Sequence, residues 1–215
     1  MTLFITFEGI EGCGKSTQVS RLAKRLERLS IPFVVTLEPG GTSVGQHIRR
    51  ILLDSRNSDL SPLAELFLYE ADRAQHVEEI IEPALRKKKW VLCDRYYDAT
   101  LAYQGYARGQ DLKLIEDLND KASCGIRPDI TFLLDCPVEV GIKRAVKRNE
   151  ETNQEGQDRF EREKVEFHDA VRRGYLSMAE QEDARFFILD GTLNEDRLEE
   201  AIFDILRPHM QGTER

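Results

Sequence analysis

The chain has 215 residues, the length of one domain or of one domain with a small appendage. Hydrophobic residues make up 40% and charged residues 33%, which excludes wholesale disorder, a collagen-like repeat and a disulfide miniprotein. A net charge of −8 argues against coating a polyanion, although a local cluster of arginines can hold a phosphate in an acidic protein.

No run approaches the roughly 18 apolar residues of a membrane helix. Residues 1–7 lack the basic leader of a signal peptide. Cys13, Cys93, Cys124 and Cys136 show neither CxxC pairing nor metal-ligand spacing. These features predict a soluble cytoplasmic protein, with no membrane and no nucleic acid among its partners.

In chain order, short apolar runs predict strands at Leu3–Phe7, Pro32–Thr36, Trp90–Cys93, Ile130–Asp135 and Phe186–Leu189. They are apolar almost throughout, as strands covered on both faces of a parallel sheet are. Helical periodicity fills the intervals: Ser16–Leu29, Ser43–Leu53, Pro62–Arg86, Leu112–Ala122, Val138–Arg148, Asp158–Ala179 and Glu195–Leu206. The alternation predicts an α/β fold, a three-layer α/β/α sandwich on a five-stranded parallel sheet, with residues 1–215 as a single domain. The polar stretch Asn149–Gln157 reads either as a solvated loop or as a flap over a site.

Gly9-Ile10-Glu11-Gly12-Cys13-Gly14-Lys15-Ser16 fits G-x-x-x-x-G-K-[ST] and falls between a predicted strand and a predicted helix. Its glycines let successive N–H groups converge on one anion at a helix N-terminus. Lys15 would reach the β- and γ-phosphates of a nucleotide, and the Ser16 hydroxyl would coordinate Mg²⁺. The dinucleotide fingerprint fails at Thr17, where a third glycine is wanted. No N-K-x-D base-reading motif is present, and the length leaves little room for a motor or helicase core. A kinase with a small acceptor remains. Cys13, among N–H donors at a helix start, is expected to be a reactive thiol that ATP protects from alkylation.

Further motifs stand at predicted strand ends: Glu8, then Glu38-Pro39-Gly40-Gly41-Thr42, then Asp94-Arg95-Tyr96 with Ala102-Tyr103-Gln104-Gly105 close behind. With FEGIEGCGKST at 7–17, RPDITFLLD at 127–135 and DRFE at 158–161, they span most of the chain. In this set the sequence resembles the thymidylate kinases of the bacterial type, which are P-loop nucleoside monophosphate kinases. DRY followed by AYQG is the specific part.

The resemblance implies that Mg-ATP and dTMP are the substrates, that the protein is a homodimer, and that a mobile lid spans about 144–160. It implies ATP contacts from Gly9 through Thr17 and from Arg144. Arg95 would grip the acceptor phosphate, assisted by Arg49. Phe67 would stack on thymine, Arg73 and Gln104 would read the base, and Tyr103 would crowd the sugar 2′ position. Pro39 and Thr100 would also meet the substrate. Glu8 would lie near the sugar 3′-hydroxyl and the metal, with Asp94 as a metal ligand beside Ser16. The P-loop positions 10–13 hold no basic residue, so Arg148 in the lid would supply the catalytic positive charge, and Lys15, Arg95 and Glu8 complete the expected catalytic set.

Each residue has a plainer reading taken singly. Phe67 is then helix core, Arg73 a surface ion-pair residue, and Arg148 a solvated helix end. Their joint spacing favours the site. Leu37 departs from the arginine that many bacterial members carry before EPGGT, and the stretch at 149–157 is unusually long and acidic. The alternatives are a kinase for another pyrimidine monophosphate, since a methyl group discriminates by only about 1–3 kcal/mol, and a non-catalytic nucleotide sensor. A sensor is expected to lose Lys15, Arg95 or the lid arginines, and all are present.

Overall fold

The computed structural model describes residues 2–152 and 159–210. Strands β1 (Phe4–Glu8), β2 (Phe33–Leu37), β3 (Trp90–Asp94), β4 (Ile130–Asp135) and β5 (Phe186–Asp190) form one parallel sheet in the order β2-β3-β1-β4-β5. The inner strands β3, β1 and β4 are buried along nearly their whole length, as their unbroken apolar runs require. The edge strands differ from the sequence expectation. Val35 on β2 and Ile188 on β5 are each 51% exposed, because the helix layers do not cover the sheet's margins.

The β1–β2 crossover runs one way across the sheet and every later crossover runs the other. Right-handed connections therefore set α1 (Lys15–Arg28) on one face. The opposite face carries α2 (Ser43–Leu53), α3 (Pro62–His76), α4 (Glu82–Arg86), α5 (Tyr97–Thr100), α6 (Leu112–Ala122), α7 (Val138–Thr152) and α8 (Val165–Gln181). The last helix, α9 (Glu195–Met210), returns to pack on α1.

Local chemistry sets several helix starts. Thr42 caps α2 by accepting from Gly45 N–H at 2.9 Å, and Ser61 caps α3 by accepting from Ala64 N–H at 3.3 Å. The single helix expected over Pro62–Arg86 is three pieces, with a π-helical turn at Val77–Ile81 between α3 and α4. Pro83 lacks an N–H, and the wider turn before it accommodates the missing bond. A second π-helical stretch, Leu101–Ala107, extends α5 where no helix was expected. The helix expected from Asp158 begins at Val165; Arg159 to Lys164 form a turn region instead, and Asp158 lies outside the described residues.

Crossovers leaving β1 and β3 on opposite faces open a crevice at the carboxyl ends of these strands. Register pairs Phe7 with Asp94 and Leu37 with Asp94, so Glu8, Glu38 and Arg95 leave the sheet at one level. Backbone bonds continue that alignment past the strands, from Arg95 N–H to Phe7 O and from Glu38 N–H to Asp94 O, both 3.0 Å.

Candidate active site

The loop after β1 curls into α1. Gly14 heads the helix at φ 102° with no side-chain cap, so the first-turn N–H groups stay available to an anion in the loop. Lys15 spans the loop, its Nζ donating to Gly9 O at 3.1 Å and Ile10 O at 2.8 Å. Gly12 has φ 70°, and a Cβ there would lie 2.0 Å from the carbonyl oxygen of Gly141. The start of α7 thus rests directly on the phosphate loop. Ser16 Oγ donates to Asp94 Oδ2 across the crevice. Two hard oxygens at this edge fit Mg²⁺, which takes few protein ligands and fills its sphere with phosphate and water. Cys13 is 1% exposed, which removes the access that the expected alkylation needs.

Opposite the loop lies a cavity. Its lining includes Glu11, Gly12, Lys15 and Ser16 from the loop, Pro39 and Arg49 from the region of α2, Tyr69 and Arg73 from α3, and Asp94 and Arg95 from β3 and its end. Thr100, Tyr103 and Gln104 enter from α5 and the π-helical stretch, and Arg148, Phe160 and Glu161 close the remaining side. The contacts explain how each group is held.

Arg95 leaves β3 in a left-handed conformation, φ 70°, which turns its guanidinium back toward the loop. Nη1 donates to Gly9 O at 2.9 Å and Tyr175 Oη at 3.1 Å, and Nη2 to Glu11 Oε1 and Tyr103 Oη, both at 3.0 Å. Arg49 Nη1 donates to Pro39 O at 2.8 Å, and burial lowers the pKa of this guanidinium. Burial alone would raise the Glu11 carboxyl. Contacts with His168, Arg95, Lys15 and Tyr103 outweigh it and hold the group well below the usual carboxylate range.

Arg73 is 1% exposed and largely committed within the protein. It donates from Nε to Glu38 Oε2 at 3.0 Å, from Nη1 to Glu70 Oε2 at 2.9 Å and Asn119 Oδ1 at 2.6 Å, and from Nη2 to Thr100 Oγ1 at 2.8 Å. Of five guanidinium hydrogens, one on Nη2 remains for a ligand. Gln104 donates from Nε2 to Glu65 Oε1 at 2.8 Å.

Two of the expected residues do not line the cavity. Phe67 lies outside the cavity, 52% exposed. The aromatic that faces the cavity from α3 is Tyr69, four residues before Arg73 and hence on the same helix face, whereas Phe67 is six away. Glu8 does not line the cavity either; it is fully buried beneath it, accepting from Tyr96 N–H and Tyr175 Oη–H, both at 2.7 Å. Burial, reinforced by the charge of Asp98, pushes its carboxyl up to about 8. Glu11 is the loop carboxylate that faces the cavity.

Arg144 sits away from the cavity lining, donating from Nη1 to Gly191 O at 2.8 Å beyond the end of β5. Arg148 borders the cavity and pairs with Glu161 Oε1 at 3.4 Å. Residues 153–158 of the expected lid lie outside the described residues. Phe160 was missed because the sequence assigns it to a helix, where no periodic signal marks a cavity-facing ring. It packs edge-on against Tyr103 with centroids 5.5 Å apart.

A phosphate loop facing an arginine-walled cavity at the carboxyl end of a parallel sheet defines a P-loop kinase for a small phosphorylated acceptor. The chain belongs to the thymidylate kinase family: that family's model, described as Thymidylate kinase, matches residues 7–202. It is 53% identical over 213 residues to the thymidylate kinase of Geotalea daltonii, covering 99% of this chain and 100% of that protein. It is 51% identical over 212 residues to the thymidylate kinase of Citrifermentans bemidjiense, covering 99% and 94%. The crystal structure of the Ehrlichia chaffeensis thymidylate kinase matches with a TM-score of 0.76 at 34% identity, covering 95% of this chain and 98% of that one.

Proposed function

We propose that this thymidylate kinase transfers the γ-phosphoryl group of ATP to the phosphate of dTMP, giving ADP and dTDP, through the residues of the cavity. The observation that carries this reading is that Arg95, folded against the phosphate loop, and Arg49 from α2 both line the cavity beside it, where a planar guanidinium suits a dianionic acceptor. Loop N–H groups and Lys15 hold the triphosphate in line with that acceptor. The acceptor is already an anion with a second pKa near about 6, so no strong general base is needed. Ser16 and Asp94 would hold Mg²⁺, which neutralises charge on the phosphoryl oxygens when bound.

Tyr69 takes the stacking role against the base, Arg73 offers its one remaining N–H to a pyrimidine carbonyl, and Gln104 meets the ring edge. Thr100 acts by fixing the Arg73 guanidinium, and Tyr103 stands at the sugar. Arg148 brings positive charge to the transferred group from a lid at about 144–160, and Arg144 meets the ATP on its outer side. Pro39 holds Arg49 through its carbonyl. Residues 1–215 work as one nucleoside monophosphate kinase domain in the cytoplasm, where four free cysteines stay reduced. Two copies pair as a homodimer, for which exposed Val44 and Ile51 on α2, Leu63 and Phe67 on α3 and Leu114 on α6 supply the apolar surface.

ADP formation from Mg-ATP with dTMP, dUMP, ribose TMP, dCMP and dGMP tests the reading. The expected order is dTMP first, dUMP weaker by about 10-fold or somewhat more, ribose TMP poorer again and dGMP inactive. Equal ADP formation with every nucleotide, or none above ATP alone, contradicts it.

A further inference from the structure

Glu65 is 1% exposed on α3, four residues before Tyr69 and eight before Arg73, on the helix face that walls the cavity. The function reading gives it no part. Its Oε1 accepts from Gln104 Nε2 at 2.8 Å and from Arg108 Nε at 3.4 Å, and its Oε2 accepts from Arg159 Nη2 at 2.5 Å. Arg159 in turn donates from Nε to Leu52 O at 2.6 Å, so the carboxylate is clamped between the π-helical stretch with its C-terminal Arg108 and the turn before α8, which is tied to α2.

We infer that Glu65 is a positioning residue that fixes the amide of Gln104 and so selects pyrimidines carrying a proton on ring N3. The inference rests on the reading that Gln104 meets the base. A carboxylate offers lone pairs and no hydrogen, so the amide must turn its N–H₂ toward Glu65. No described residue donates to the opposite end, the Gln104 carbonyl, and that end is left to a ligand in the cavity. A carbonyl accepts the N3–H of thymine or uracil. Cytosine presents a lone pair at N3, and two acceptors then face each other with no hydrogen between them. An amide free to flip would serve either ring; Glu65 removes that freedom. A site built to pair with a ligand N–H rejects analogues lacking it far better than a methyl-sized pocket rejects a missing methyl.

The test is the ratio of kcat/KM for dTMP to that for dCMP in the wild type, Glu65→Gln, Gln104→Ala and the double variant. Glutamine at 65 can donate or accept, so the Gln104 amide is released. Glu65→Gln is expected to lower the ratio about 10-fold or more, chiefly through KM, with kcat for dTMP changed much less. In the Gln104→Ala background the same change is expected to leave the ratio where Gln104→Ala put it. A ratio unchanged by Glu65→Gln but lowered by Gln104→Ala overturns the inference and keeps the base reading. An equal drop in both backgrounds also overturns it, since Glu65 then acts independently of Gln104. A ratio unaffected by Gln104→Ala removes the base reading and the inference together. Should Glu65→Gln fail to fold, the Gln104 side-chain N–H₂ resonance of the wild type supplies the answer. Slow hydrogen exchange retained on adding dTMP is expected, and its loss on binding overturns the inference.

Discussion

Arg95 holds a backbone conformation that costs a non-glycine residue about 1–3 kcal/mol. What it gains is direction, because the guanidinium folds back over Gly9 and Glu11 instead of continuing along β3. Arg49, Arg73, Arg95 and Gln104, to which the resemblance pointed, all line the cavity. The aromatic that faces the cavity from α3 was not legible in the sequence. Phe67 and Tyr69 are two residues apart on one helix, and only the helix phase relative to Arg73 separates the ring at the cavity from the ring at the surface. Tyr69→Ala should raise the KM for dTMP about 10-fold, the loss of a stacked face and its buried area. Phe67→Ala should leave that KM within about 2-fold, the range of an exposed position. Steady-state kinetics on the two variants decides the assignment, and the reverse pattern would restore Phe67.

At the scale of elements, helical periodicity revealed most of the helices, and the exceptions have separate causes. The stretch Leu101–Ala107 carries Tyr103 and Gln104 in a π-helical winding that no 3.6-residue period reports. The residues from Arg159 to Lys164 were assigned to the helix expected from Asp158; the structure shows a turn there, with Arg159 bonded to Glu65 and Leu52. The join between the phosphate loop and α7 was equally hidden, since it depends on two glycines 129 positions apart touching in space. A Cβ on Gly141 would stand 2.5 Å from Glu11 O and 2.7 Å from Ile10 Cδ1. Gly141→Ala therefore should push α7 off the loop and cut kcat/KM for ATP by about 10- to 100-fold. Wild-type kinetics in that variant would show that the loop and the helix carrying Arg144 and Arg148 are not mechanically joined.

For the whole molecule, the five strands and their parallel pairing were legible because the apolar runs alternate with amphipathic helices. Strand order was not: nothing local says that β3 inserts between β1 and β2, and the crevice depends on that insertion. Nor does a net charge of −8 announce the few arginines that gather in the cavity at one end of the sheet. The claim that joins loop, cavity and sheet is that phosphoryl transfer ends on the bound monophosphate and not on water. Phosphorus NMR of the protein incubated with Mg-ATP and dTMP tests it most directly. The account predicts dTDP appearing in step with ADP and little inorganic phosphate. ADP accompanied by equal inorganic phosphate, with dTMP unchanged, would contradict it.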